Sequence, residues 1–182
     1  MPERLFQAHL FDTQPQDVTP RGFTHLFEVN RRTPRPTPEM GRFVREVKGP
    51  DRVHILSPGL AAEYLMTHIC TPFATFDQEE LWVLLLNNKN LVTHEAMVYR
   101  GTVNSAYIRP AEIFKPAVQL NSPTLIISHN HPSGDPSPSP EDVHITRNLV
   151  EVGRFIDIEI ADHIIIGAER WVSLKERCLG FE

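Results

Sequence analysis

The stretch from Ser128 to Asp142 constrains this chain more than any other part of its sequence. It reads Ser-His-Asn-His-Pro-Ser-Gly-Asp-Pro-Ser-Pro-Ser-Pro-Glu-Asp, follows an apolar run at 125–127 and precedes a helical pattern at 143–152. The apolar run predicts a strand, in which side chains two residues apart point to the same face. His129 and His131 can therefore bind one ion from the end of a strand. Two histidines, a Pro/Gly/Ser loop and an acid at the start of a helix are the order expected of a metal site.

The third ligand has three candidates, which are Asp135, Asp142 and His144. Ser139 is a good N-cap and Pro140 suits the first helical position. In that helix Asp142 shares the apolar stripe of positions 145 and 149, whereas His144 lies about 200° away at roughly 100° per residue. An inward-pointing acid needs a partner, so we predict Asp142 as the ligand. A Ser-x-x-Asp capping box is the structural alternative for Asp142, and Asp135 is predicted to cap a turn.

Zinc is the metal that this donor set favours, because imidazole and carboxylate suit it and no CxxC motif supplies thiolates. Three protein ligands leave a fourth position open, which is typical of a catalytic zinc site. Hydrolysis then needs a carboxylate that moves a proton. The candidates outside the motif are Glu79, Glu80, Glu95 and Glu112, and spacing alone does not choose among them. Ser139 can both cap the helix and donate to a developing oxyanion.

Hydrophobic patterning predicts a mixed three-layer α/β domain with one hairpin. The apolar run at 81–86 is of strand length and apolar on both faces, which indicates a central strand covered on both sides. The predicted strands are 81–86, 91–99, 124–129, 156–160, 163–166 and 171–173, with short candidates at 43–47 and 53–56. The predicted helices begin at Pro58, Pro110 and after Ser139, and a final helical turn is expected at 174–177.

Composition predicts one domain at 57–182 behind a proline-rich extension at 1–56. The 182 residues are 41% hydrophobic, which is enough for one core, and 16 are proline. The net charge of −5 excludes a global basic field that would attract nucleic acid. The basic excess lies in the extension, where Arg31, Arg32 and Arg35 stand among prolines in a predicted linker. Two cysteines form no disulfide framework, and the absence of a leader or a membrane-length apolar run predicts a cytoplasmic protein without a membrane partner.

Taken together, these residues resemble the JAMM (JAB1/MPN/Mov34) zinc motif in its RadC-like form, over about 57–181. The segments that carry the resemblance are His129-Asn-His-Pro-Ser-Gly, Pro138-Ser-x-x-Asp142, Glu80-Leu-Trp-Val-Leu-Leu-Leu, Arg100-Gly-Thr-Val-Asn, Arg109-Pro-x-Glu-Ile-Phe-Lys-Pro-Ala and Asp162-His-Ile-Ile-Ile-Gly. The resemblance implies a cytidine-deaminase-like α/β/α fold and a zinc ion held by His129, His131 and Asp142. It also implies Glu80 as the catalytic glutamate and an oxyanion-stabilising role for Ser139.

Three functions follow, of which a zinc hydrolase of peptide or isopeptide bonds is the first. The second is a DNA-repair-associated accessory protein, in which the arginines of the extension contact phosphates. RadC-like proteins usually carry a helix-hairpin-helix segment ahead of this domain, but residues 1–56 show no such Gly-hairpin pattern, which argues against direct duplex binding. The third, base deamination, lacks the H-x-E…P-C-x-x-C ligand set. The sequence names neither the substrate nor an oligomeric state.

Overall fold

The computed structural model describes residues 43–101 and 108–182. Six strands and three α-helices alternate along these residues. In chain order they are β1 Phe43–Glu46, α1 Pro58–Tyr64, β2 Glu79–Leu86, β3 Val92–Gly101, α2 Pro110–Leu120, β4 Thr124–Asn130, α3 Pro140–Phe155, β5 Glu159–Ile166 and β6 Trp171–Ser173. A π-helical turn, Leu65–Ile69, continues α1, and short 3₁₀ turns lie at Gly49–Asp51 and Phe73–Thr75.

The strands form one mixed sheet in the order β1-β3-β2-β4-β5-β6. The predicted hairpin is β2 and β3, which pair antiparallel. β4 lies between β2, to which it is antiparallel, and β5, to which it is parallel. The predicted mixed α/β class is therefore confirmed, and the end of β4, where the two histidines stand, lies in the middle of the sheet.

Alternate residues of β2 contribute to two separate apolar clusters. Leu81, Val83 and Leu85 pack with residues of α2 and α3, such as Ile113 and Ile145. The residues between them, Trp82, Leu84 and Leu86, pack with residues of α1. All six are buried, as expected for a central strand covered on both sides. We call the two sides the α3 face and the α1 face of the sheet.

Three of the predicted elements near the C-terminal end differ from the observed ones. The two strands predicted at 156–160 and 163–166 are one strand, β5, and the residues before it form a turn. Asp157 has a left-handed φ of 59°, and the Ile158 amide donates to the Gly153 carbonyl at 2.9 Å, which closes that turn. The helical turn predicted at 174–177 is a set of hydrogen-bonded turns, with the Leu179 amide on the Leu174 carbonyl.

The residues just before 57 also contact the sheet. β1 pairs with β3, and the Ile55 amide donates to the Asn90 carbonyl at 2.8 Å. Arg31, Arg32 and Arg35, which were predicted to lie in a linker, are outside the described residues, as are the rest of 1–42 and residues 102–107. Within 43–101 and 108–182, no helix has the length and apolar character needed to cross a membrane.

Candidate metal centre

Three predicted ligands converge on the α3 face where β4 ends. His129 lies two residues beyond Ile127, a member of the cluster on that face, and its side chain therefore points towards α3. His131 follows immediately after the strand, and Asp142 lies in the first turn of α3. One ligand atom from each residue lies within 4.8 Å of the others, so the three can hold a metal ion.

The distances show which atoms face the centre of this group. The Nε2 atoms of His129 and His131 are 3.0 Å apart. The Asp142 carboxylate lies 3.2 Å from His129 Nε2 through Oδ1 and 3.6 Å from His131 Nε2 through Oδ2. The side chain of His131 is 15% exposed, whereas those of the other two ligands are buried. The site is therefore reached from solvent on the His131 side.

Asp142 is held by the capping box that was its structural alternative, and this cap is compatible with the predicted ligand role of the same carboxylate. The Ser139 hydroxyl oxygen accepts from the Asp142 amide at 3.1 Å. In return, Asp142 Oδ2 accepts from the Ser139 amide and the Ser139 hydroxyl, both at 2.8 Å. A cap of this kind contributes about 1 kcal/mol to helix stability. Oδ1 remains directed towards His129.

The loop between the ligands orients His131 through its main chain. His131 Nδ1 lies 2.8 Å from the Asp135 carbonyl oxygen, which can only accept. His131 Nδ1 therefore carries a hydrogen, and its Nε2 faces the group. The Asp135 side chain instead accepts from the Ser137 amide and hydroxyl, which is the turn cap predicted for it.

The same loop packs closely against the residue that follows β5. Gly134 has a φ of 85°, and its carbonyl accepts from the Ala168 amide at 3.1 Å. A Cβ placed on Gly167 would stand 2.4 Å from the Gly134 carbonyl oxygen, so only glycine allows this approach. The His131 amide also donates to the Ile166 carbonyl at 2.9 Å. The position of His131 is thus fixed by β5 as well as by β4.

His129 also contacts His163, a buried residue that was predicted neither as a ligand nor as a catalytic residue. His129 Nδ1 lies 2.9 Å from His163 Nε2, and His163 Nδ1 lies 2.6 Å from the Thr146 hydroxyl. His163 pairs with Ile127 across the parallel β4–β5 ladder, so its side chain points to the α3 face. A histidine in the apolar segment 160–166 was the available signal, but its partner lies 34 residues away in sequence.

The ionisation of the group follows from burial and from the contacts within it. Burial alone raises the pKa of Asp142, but the neighbouring imidazoles of His129 and His131 lower that pKa more, so it falls well below its usual value. The neighbouring Asp142 carboxylate raises the pKa of His131; burial opposes this, and the Asp135 carbonyl and the charge of Glu79 raise it further. Burial, followed by the charge of His129, lowers the pKa of His163 to about 3.

The structure does not bring Glu80 together with the predicted ligands. Its carboxylate accepts from the Trp82 indole at 3.0 Å and lies 3.6 Å from Arg100 Nε. Trp82 belongs to the cluster on the α1 face, so Glu80 points to the side of the sheet opposite His129. Its predicted role as proton carrier comes from the resemblance alone.

Glu79 lies one residue earlier in β2 and, by strand alternation, points to the α3 face. Asn130 fixes this position, because its side chain bonds the main chain on both sides of Glu79. Asn130 Oδ1 accepts from the Glu80 amide at 2.7 Å, and Asn130 Nδ2 donates to the Gln78 carbonyl at 3.1 Å. Glu79 is half-buried, and its charge acts on His131.

The remaining candidates lie elsewhere. Glu95 is buried and bonded to Tyr64, from α1, and to Arg45. Glu112 stands in the first turn of α2. His144 is exposed on α3, as the helical stripe predicted. Each is outside the group formed by His129, His131 and Asp142.

The donor set and its surroundings fit a metal ion. The Nε2 atoms of His129 and His131 and the Asp142 carboxylate lie 3.0–3.6 Å from one another. Two Nε2 atoms that both lack a hydrogen would repel each other at this distance. Each Nδ1 atom is engaged with another partner, which leaves both Nε2 atoms as the inward ones. A cation, or in its absence a proton, relieves the repulsion. These ligand types suit zinc, although they do not identify it.

Comparison with known proteins gives a consistent result. The model of a family described as "RadC-like JAB domain" matches residues 55–179. A protein of Chloroflexus aurantiacus is 48% identical over 144 residues, which are 79% of this chain and 61% of the relative. A relative in Roseiflexus castenholzii is 44% identical over 146 residues, and one in Bacillus cereus is 43% identical over 139 residues. In both, the matched region is 60% of the relative. All three are named only as UPF0758 proteins, and the chain spans about three fifths of their length.

Proposed function

The chain belongs to the RadC-like JAB domain family, and on this basis we propose that it is a zinc-dependent hydrolase of peptide or isopeptide bonds. The family is also the reason to propose the cytidine-deaminase-like three-layer arrangement, which the apolar clusters on the two faces support. The division into an extension at 1–56 and a domain at 57–182 is proposed from composition. Since the relatives are longer, substrates and partners of the whole protein are part of the proposal.

One observation carries the hydrolase proposal: three ligand atoms of His129, His131 and Asp142 converge at a site open on one side. The buried ligands His129 and Asp142 form the base of the site, and the partly exposed His131 lies at its opening. A zinc ion bound here supplies a Lewis acid that lowers the pKa of a coordinated water towards neutrality. The protein contributes the arrangement of the ligands and the groups that move protons.

For the proton-carrying carboxylate we propose Glu79 in preference to Glu80, the residue that the resemblance implied. Glu79 is on the α3 face, its charge raises the pKa of His131, and the two bonds of Asn130 hold the main chain on either side of it. In this proposal its carboxylate would take a proton from the water that attacks the substrate and pass it to the leaving amine. Glu80 is committed to Trp82 and Arg100 on the other face.

For Ser139 the contacts support a role in holding Asp142. Its hydroxyl oxygen caps α3, and its hydroxyl hydrogen is donated to Asp142 Oδ2. The oxyanion role implied by the resemblance stays a prediction, and it requires the hydroxyl to turn from Asp142 towards the substrate. Ser139→Ala removes both functions, whereas Ser139→Gly keeps most of the cap. Equal activity losses in the two variants, with zinc affinity unchanged in both, would support the oxyanion role; a fall in zinc affinity would support the role in holding Asp142.

The alternative of a DNA-associated accessory protein depends on Arg31, Arg32 and Arg35, which lie outside the described residues. No contact in the described part of the chain favours it over the hydrolase. Salt-dependent DNA binding by the full chain, compared with a chain that lacks residues 1–56, tests it directly.

The hydrolase proposal is tested by metal analysis of the full chain together with a cleavage screen. We expect about one zinc per chain after reconstitution, and cleavage of some members of a set of peptide and isopeptide substrates. Glu79→Gln should keep the zinc and lose cleavage, while Glu80→Gln should keep both. A reconstituted wild type without bound metal would contradict the proposal, and a fully active Glu79→Gln would contradict the choice of Glu79.

A further inference from the structure

A line of three side chains leads from the metal centre into the core. His163 is buried between His129 on β4 and Thr146 on α3, and Thr146 is itself fully buried. His163 Nε2 is 2.9 Å from His129 Nδ1, and His163 Nδ1 is 2.6 Å from Thr146 Oγ1. Thr146 Oγ1 is also 2.6 Å from the Asp142 carbonyl oxygen, one turn earlier in the helix.

Counting hydrogens along this line fixes the direction of each bond. The Asp142 carbonyl can only accept, so the single hydroxyl hydrogen of Thr146 points to it. The Thr146 oxygen must then accept from His163, whose Nδ1 therefore carries a hydrogen. Burial disfavours a charged imidazole, so His163 Nε2 is bare and accepts from His129 Nδ1.

We propose that His163 is a positioning residue, which together with Thr146 holds His129 in the Nδ1-protonated tautomer and so presents a bare Nε2 to the metal. This inference rests on the proposed metal site and adds residues that none of the predicted ligand sets contain. The line starts at the main chain of one ligand, Asp142, and ends at the ring of another, His129. The two ligands therefore constrain each other through His163.

The two histidine ligands are held in the Nδ1-protonated tautomer by different partners. His131 donates directly to a main-chain carbonyl, that of Asp135, which no substitution removes. His129 depends on two side chains that can be changed without touching a ligand. Second partners of metal-bound histidines of this kind typically contribute 10–100-fold in metal affinity, which is roughly the effect expected here.

The first measurement is the tautomer of His129 in the metal-free full-length protein. Long-range ¹H–¹⁵N correlation spectra distinguish protonated from bare imidazole nitrogens, and comparison with His129→Ala identifies the signals of His129. We expect a hydrogen on His129 Nδ1 in the wild type, including when Nε2 shares the proton that takes the place of the metal. A His129 Nδ1 without a hydrogen would overturn the inference.

The second measurement is the effect of the Thr146 hydroxyl on tautomer and zinc affinity. Thr146→Val keeps the shape and removes the acceptor for His163 Nδ1, so His163 can place its hydrogen on Nε2 and reverse its bond with His129. We expect His129 Nδ1 to lose its hydrogen and zinc affinity to fall by about 10–100-fold in chelator competition. Thr146→Ser restores the hydroxyl and should restore both readouts.

Thr93→Val is the matched control, because its hydroxyl also donates to a main-chain carbonyl, that of Leu85, and contacts a histidine, His94. It should change neither the tautomer nor zinc affinity. Unchanged readouts in Thr146→Val would overturn the inference, and should that variant not fold, the wild-type tautomer still decides. A wild type with the expected tautomer but no zinc binding would support the line of bonds and contradict the proposed function instead.

Discussion

Two carboxylates adjacent in sequence, Glu79 and Glu80, have opposite surroundings at the start of β2. Glu79 is half-buried on the α3 face, and its charge raises the pKa of His131. Glu80 is 1% exposed on the α1 face, between Trp82 and Arg100. The comparison teaches that strand alternation sends two neighbouring acids to opposite faces of a sheet, so a proposed proton carrier must be argued from its face as well as from its segment.

The largest expected effect comes from removing a ligand on the α3 face. Asp142→Ala should abolish stoichiometric zinc binding and also cost about 1 kcal/mol through loss of the cap. Metal content after reconstitution and the free energy of unfolding in urea measure the two effects. Glu141→Ala changes the exposed neighbour in the same turn and should keep the zinc. An Asp142→Ala protein that retained full zinc would break the assignment of the α3 face as the metal side.

The two glutamates should next separate activity from stability. Glu79→Gln should lower hydrolysis by at least about 100-fold, because it removes the proton carrier, and change stability by less than about 0.5 kcal/mol. Glu80→Gln should leave hydrolysis intact and lower the free energy of unfolding by about 1–3 kcal/mol, because it removes one of the two carboxylates that face Arg100, the other being that of Asp77. Cleavage assays and urea unfolding measure the pair. The reverse pattern would return the catalytic role to Glu80.

Acidification of the metal-free protein tests whether His163 is buried and uncharged on the α3 face. His163 has a pKa of about 3 when folded and an ordinary value of 6.5. Between these values the unfolded chain binds a proton that the folded chain does not, so stability falls as the pH falls below 6.5. The slope from this one group is at most about 1.4 kcal/mol per pH unit. Urea unfolding from pH 6.5 to 4.5 should show that the free energy of unfolding falls less steeply with pH in His163→Gln than in the wild type. Equal slopes would contradict the lowered pKa of His163.

The smallest effect is expected at Asp135, the acid in the loop between the histidines and α3. Its side chain is exposed and caps a turn, while its contribution to His131 comes from the main chain. Asp135→Ala should therefore keep the zinc, and its affinity should change by less than about threefold. Chelator competition measures this. Loss of zinc comparable with that of Asp142→Ala would show that the loop acid belongs to the donor set.

Helical periodicity predicted more of this site than strand pairing did. The stripe of α3 places Asp142 inward and His144 outward from local sequence alone, because the period of a helix needs no partner. The side to which Glu80 points depends on the register between β2 and β4, which pairs Leu81 with His129 across a long stretch of chain. His163 reaches His129 only through the parallel β4–β5 ladder, so no local spacing could have identified it.

Most elements were predictable for similar reasons, and the exceptions are local. Pro110 and the left-handed Asn121 delimit α2 where the sequence placed it. The start of β5 was predicted too early because Ile156 and Ile158 imitate an alternating strand, while the left-handed Asp157 between them turns the chain. A single positive φ outweighed the hydrophobic pattern.

The double engagement of Asp142 limits what evolution or design can place at this position. Asparagine would retain an acceptor for the Ser139 amide and start the helix well, but would give up the negative charge that the two imidazoles meet. Glutamate would retain the charge, but its extra methylene moves the carboxylate away from the cap. Since one residue caps the helix and faces two imidazoles at once, aspartate is the only side chain with both the length and the charge for the position.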